Sequence, residues 1–150
     1  MLATGASLPA VTLADDTGAI VSTNDLIGSP VVLYFYPKDD TPGCTNEATQ
    51  FADLSASFAK KQTRVIGVSR DSVASHQKFK TKHEISFTLL ADAESALCDA
   101  FGVIVEKNMY GKKSMGVQRA TFLFDASGTC VRVWPNVRVD GHAEDVLSNL

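Results

Sequence analysis

Residues Pro30 to Glu47 read P-V-V-L-Y-F-Y-P-K-D-D-T-P-G-C-T-N-E, an apolar run closed by a proline and followed by a cysteine. Val31 to Tyr36 is β-branched and aromatic with no polar alternation, which predicts a strand buried on both faces. Thr41 and Pro42 supply a helix-start signal: a hydroxyl able to accept a first-turn N–H, then a proline at the first helical position. Cys44 then falls in the first turn. A thiol reacts as its thiolate, and the unpaired N–H groups and positive dipole end of a helix N-terminus favour that anion. A lone cysteine is ordinarily a small buried hydrophobe. The strand, proline and helix start around this one make it a candidate nucleophile instead.

The 150 residues fit a single domain, 1–150, long enough to bury about 68–70% of the unfolded surface. Net charge is -3, from 14 basic and 17 acidic residues with no lysine or arginine block, which gives no support for nucleic-acid or anionic-membrane binding. Met1 to Pro9 has neither a basic start nor an apolar core, and no apolar run approaches the length of a bilayer span. Three cysteines without an export signal argue for thiols kept reduced in the cytoplasm rather than for a disulfide scaffold.

Outward from the cysteine stretch the elements fall in a regular order. Val11–Leu13 and Ala19–Ser22, joined across Asp15 to Gly18, predict an N-terminal β-hairpin, and Thr23 to Gly28 a helical turn. Ala48, Phe51, Leu54, Ser55 and Phe58 recur at helical spacing, so a helix to about Lys61 should lay that stripe on the sheet. Arg64 to Ser69 predicts a second buried strand, and Asp71 or Ser72 caps a helix through about His83. A strand over Phe87 to Ala91, a helix over Glu94 to Phe101 stopped by Gly102, a hairpin of Ala120–Asp125 with Thr129–Trp134, and a helix from Gly141 follow. The order is α/β, and it resembles the thioredoxin-like fold: a mixed central sheet flanked by helices, with the site at a strand's C-terminal end.

Pro37, Thr41 and Cys44 match the P-x-x-x-T-x-x-C pattern of peroxiredoxins. Y-F-Y-P-K-D-D-T-P-G-C-T-N-E-A is similar to the bacterioferritin comigratory protein, or peroxiredoxin Q, branch, as are Thr88 to Asp92, Met109 to Lys112 and Arg119 to Asp125. The resemblance implies a thiol peroxidase acting on hydrogen peroxide and organic hydroperoxides, with no cofactor, as a monomer reduced by thioredoxin or glutaredoxin. It implies Cys44 as nucleophile, Thr41 and Arg119 as donors that polarise the O–O bond, and Pro37 as a shield. The plainer readings are an N-cap for Thr41, a solvated strand-edge side chain for Arg119 and a strand terminator for Pro37. Glu47, in the first helical turn, favours the dipole and carries no catalytic role in this reading. A redox sensor or binding module on the same fold, oxidised at Cys44 but not turned over, is the alternative from another class.

A dithiol exchange centre needs C-x-x-C, and the corresponding residues here are Thr41-Pro42-Gly43-Cys44. Members of the branch that carry a resolving cysteine have it five residues after the first, where Thr49 stands, or in the next helix, where Val73 to His83 has none. The expectation is therefore a one-cysteine cycle closed by an external thiol. The runner-up is a disulfide from Cys44 to Cys98 after local unwinding; Cys98 and Cys130 otherwise read as packed hydrophobes. His76, His83 and His142 form no metal motif, and the glycines form no phosphate loop.

Overall fold

The computed structural model describes all 150 residues. Its centre is the predicted apolar strand, β3 (Val31–Phe35), every residue of which is buried. Parallel β4 (Arg64–Ser69) lies on one side of it, with β5 (Thr88–Ala91) beyond. Antiparallel β8 (Ala120–Phe124) and then β9 (Cys130–Trp134) lie on the other. The N-terminal hairpin, β1 (Thr12–Asp15) with β2 (Ile20–Ser22), adds to the β5 edge, giving the order β2-β1-β5-β4-β3-β8-β9. This is the expected mixed sheet with its hairpin. A 3-10 turn at Thr23–Leu26 follows the hairpin, capped by Ser22 as its polar sequence predicts.

Period-2 packing divides the interior into two cores. Val32, Tyr34 and Tyr36 face α1 (Pro42–Asp53), α2 (Ser55–Lys60), α3 (Val73–His83) and α5 (His142–Ser148), which contribute Phe51, Phe58, Phe79 and Val146. Val31, Leu33 and Phe35 face the other way, toward Leu97, Cys98 and Phe101 of α4 (Ala96–Phe101). The single helix expected through Lys61 is broken at Leu54, which ends α1 and begins α2. Glycine is required at position 67 by close approach: a Cβ there would stand 2.8 Å from Leu89 and 2.9 Å from the Tyr34 ring.

Residues 103–119, for which the sequence reading assigned no element, hold a separate hairpin of β6 (Ile104–Met109) and β7 (Lys112–Val117). Most of its residues face solvent on both sides, so no alternation marks it. The available signal was its turn, where Tyr110 and Gly111 both adopt positive φ, 53° and 77°. The hairpin is tied back to the body where Arg70 Nη2 donates to the Met115 carbonyl at 3.1 Å.

Candidate active site

The C-terminal ends of parallel β3 and β4 open at one edge of the sheet, where Pro37 to Thr41 lead into α1. Thr41 is the N-cap, Pro42 the first helical residue, and the first helical bond runs from Thr45 N–H to the Thr41 carbonyl at 2.8 Å. The N–H groups of Gly43 and Cys44 therefore have no intrahelical acceptor and face the loop as paired donors. Cys44 is 2% exposed, on the inner side of the helix beside Ala48 and Phe51.

Arg119 reaches this point through strand register. Phe35 pairs with Ala120, so the start of β8 meets the end of β3 and the preceding residue lies over the α1 N-terminus. Its carbonyl accepts from Val137 N–H at 3.0 Å, which fixes the backbone. Arg119 Nη2 then donates to Cys44 Sγ at 3.3 Å, and Nη1 to Glu47 Oε1 at 2.7 Å. The fork geometry of a guanidinium allows one side chain to hold both partners. Burial opposes the charge on Arg119, but Glu47, and then Cys44, outweigh it and hold the group above its ordinary value. Gly43 leaves room for this arrangement, since a Cβ there would stand 3.2 Å from Arg119 Nη2.

Glu47, given no catalytic role by the sequence reading, is the anchor of the arginine. It lies one turn after Cys44 on the same helix face, the i,i+3 spacing that was the available signal. Burial pushes its carboxyl up to about 7, against the pull of Arg119's charge and hydrogen bond. Its second oxygen, Oε2, is buried without a hydrogen-bond partner, which favours the protonated form.

Thr41 differs from expectation. Its hydroxyl makes no capping bond and none to Cys44; its proton goes to the Lys38 carbonyl at 2.8 Å, tightening the loop. The oxygen's lone pairs are left to accept. Pro37 is half-buried two residues past the end of β3.

Cys98 is brought no nearer by the fold. It lies in α4, in the core on the opposite face of the sheet from Cys44, and Cys130 shares that core. All three cysteines are free. The N–H groups of Leu97 and Cys98 donate to the Asp92 carboxylate at 3.0 and 2.7 Å, fixing the start of the helix. Burial, and then Asp92, push the Cys98 thiol well up, and burial does the same for Cys130. A Cys44–Cys98 disulfide would require the two cysteines to leave cores on opposite faces of the sheet, and the thiol offered would be a poor nucleophile.

The histidines serve the framework. His142 is buried between Phe51 and Trp134, its Nε2 2.7 Å from Thr121 Oγ1, and burial takes its pKa down to about 4. His83 sits 2.8 Å from Asp40 at the surface. His76 converges with Asp39 and Asp71 within 4.8 Å, and all three are engaged in hydrogen bonds that support the loop.

An unpaired cysteine in the first turn of a helix, a guanidinium on its sulfur and a carboxylate behind the guanidinium define a thiol peroxidase on a thioredoxin-like fold. The sequence agrees: the chain matches the AhpC/TSA family model over residues 4–133 and belongs to that family. It is a peroxiredoxin of the Bcp/PrxQ branch. Peroxiredoxin Bcp of Bacillus subtilis is 45% identical over 146 residues, covering 97% of this chain and 93% of the relative. PrxQ of Xylella fastidiosa, solved as a cysteine-to-serine mutant, superposes with a TM-score of 0.94 at 38% identity, covering 99% of this chain and 95% of that one. The bacterioferritin comigratory protein of Xanthomonas campestris, solved as trapped intermediate and ligand complexes bearing on its alkyl peroxide reduction activity, superposes with a TM-score of 0.88 at 45% identity, covering 93% and 88%. No helix is long and apolar enough to cross a membrane.

Proposed function

We propose that the chain reduces hydrogen peroxide and alkyl hydroperoxides by a one-cysteine cycle on Cys44. The observation that carries this is the 3.3 Å contact of Arg119 Nη2 with Cys44 Sγ, at a cysteine buried in the same core as Tyr34 and Phe51. With the free N–H groups of Gly43 and Cys44 the guanidinium offers fixed donors to the peroxide oxygens. Thr41 Oγ1, its own proton spent on Lys38, accepts the hydroperoxide O–H and orients it. Pro37 walls the loop side and limits bulk water.

The thiolate attacks the terminal peroxide oxygen, an S–O bond forms as the O–O bond breaks, and the departing alkoxide or hydroxide takes up a proton. Cys44 is left as a sulfenic acid and the substrate as an alcohol or water. An external thiol then displaces water to give a mixed disulfide, and a second thiol releases Cys44 as the thiol. The reductant in this reading is a thioredoxin- or glutaredoxin-type dithiol. In this reading the chain acts as a monomer, and its three free cysteines suit a reducing cytoplasm.

Peroxide-driven turnover with each reductant tests the cycle, using wild type, Cys44→Ser and the double variant Cys98→Ser/Cys130→Ser. Cys44→Ser loses all turnover, while the double variant keeps the wild-type rate. Loss of reductant-supported turnover in the double variant, with peroxide still consumed once per chain, would make one of those cysteines the resolving thiol.

A further inference from the structure

Helix α3 grips the loop between β3 and α1 at two points. At the surface, Lys82 Nζ and His83 Nε2 each stand 2.8 Å from the Asp40 carboxylate, at a residue held in positive φ (59°). In the interior the contact is with Asp39, and every group there is committed. Asp39 Oδ1 accepts from Tyr36 OH at 2.6 Å. Asp39 Oδ2 accepts from Ser75 Oγ at 2.8 Å and lies 2.7 Å from His76 Nδ1. The Asp39 N–H donates to Asp71 Oδ2 at 2.9 Å, which also accepts from Ser69 Oγ. On its far side, His76 Nε2 is 2.8 Å from the Leu90 carbonyl of β5.

The protonation state of His76 follows from these partners. A peptide carbonyl only accepts, so Nε2 carries a hydrogen. A carboxylate already accepting two hydroxyl protons calls for a third donor, so Nδ1 carries one as well. His76, fully buried, is therefore an imidazolium clamped between a carboxylate and a carbonyl. The charged and titratable groups around it are Asp39 from the loop, Asp71 before α3 and Tyr36 from the end of β3, whose ring lies 6.4 Å away.

We propose that His76 is a positioning residue of the peroxidase reaction: donating from both ring nitrogens, it ties the Pro37–Thr41 loop to α3 and β5, and its deprotonation loosens the seat of Cys44. The neutral ring has one N–H for two acceptors. Either tautomer sets a lone pair against Asp39 or against Leu90. If the Asp39 side is lost, the loop that presents Pro37, Thr41 and the α1 N-terminus keeps only the Ser75 Oγ bond to α3 in the interior. If the Leu90 side is lost, α3 loses its hydrogen bond to β5. Burial alone would make the ring easier to deprotonate, but the hydrogen bond and charge of Asp39 more than offset it, with the Leu90 carbonyl and Asp71 adding to the rise. The transition accordingly falls on the alkaline side of an ordinary histidine.

The inference rests on Cys44 being the attacking thiol, and the experiment separates the two. Cys44 oxidation by hydrogen peroxide is followed in stopped flow from about pH 6 to about pH 10 for wild type, His76→Gln and Asp39→Asn, with Cys44→Ser as control. The His76 ring is titrated by nitrogen-15 NMR on the wild-type chain. The expected result is an alkaline fall in wild-type rate whose midpoint coincides with the His76 titration. His76→Gln, which can donate but never titrates, lacks that fall and runs about tenfold slower at its plateau. Asp39→Asn moves the fall to lower pH. A wild-type rate that stays level while His76 titrates, or the same fall in His76→Gln, overturns the proposal. Should His76→Gln fail to fold, agreement or divergence of the two wild-type midpoints still decides. Peroxide consumption surviving in Cys44→Ser would instead overturn the reading of the thiol, leaving the His76 titration as it stands.

Discussion

Arg119 does two tasks with two nitrogens, and no other cation has the shape to replace it. Lysine offers one ammonium, which can follow Glu47 or Cys44 but cannot hold the 2.7 Å and 3.3 Å contacts together. Arg119→Lys should therefore slow Cys44 oxidation about a hundredfold while leaving the fold intact, a loss comparable to removing one preorganised donor from an oxyanion site. Stopped-flow peroxide kinetics with far-UV circular dichroism on the same sample checks both parts; an unchanged rate would mean that charge alone, without the fork, suffices. At this scale the sequence is legible where the chemistry is local: Cys44, its helix start and Pro37 all fall where their neighbours place them. Arg119 is separated from Cys44 by 75 residues and was placed only by resemblance. The ion pair of Glu47 was not legible, because a carboxylate in a first turn has a sufficient local explanation, the dipole, and the pair depends on a register the sequence does not display.

At the level of elements, α1 is aimed by an aromatic stack. Tyr34 of β3 stacks on Tyr36 at 5.5 Å and on Phe51 of α1 at 4.7 Å, and its ring reaches sideways over Gly67 of β4. Gly67→Ala puts a methyl within 3 Å of both Tyr34 and Leu89 in the middle of a buried strand. Both are fully buried side chains, so making room disturbs the stack of Tyr34 on Phe51 of α1 or the packing of Leu89. The expected cost is about 1–3 kcal/mol in urea unfolding, typical of overpacking, with slower peroxide reduction because α1 carries Cys44. A variant as stable and as fast as wild type would show that the stack does not position the helix. The buried strands were legible because burial on both faces leaves an unbroken apolar run, as in β3 and β4. The break at Leu54 was not, since both helices lay the same stripe on the same core and its period carries across the interruption.

Across the whole molecule, two buried groups on the Cys44 side of the sheet tilt stability in opposite directions with pH. Glu47 goes from an ordinary 4.5 up to about 7, so between those values the folded chain holds a proton the unfolded chain has released, and stability falls as pH rises through that window. His142 goes from 6.5 down to about 4, so there the unfolded chain holds the extra proton, and stability falls as pH drops through that window. Each effect is on the order of 3 kcal/mol, and the windows overlap, so wild type shows little of either. Substitution should uncover them. Relative to wild type, Glu47→Gln gains stability as pH rises from 4.5 toward 6.5, because the cost of ionising Glu47 is gone and that of charging His142 remains. His142→Gln does the reverse over the same range, its amide still able to meet Thr121. Urea unfolding of the three chains at several pH values in that range reads this directly as two difference curves of opposite slope. Parallel curves would mean that neither group keeps its proton balance in the fold, and the buried Oε2 of Glu47 would then need a partner other than a proton.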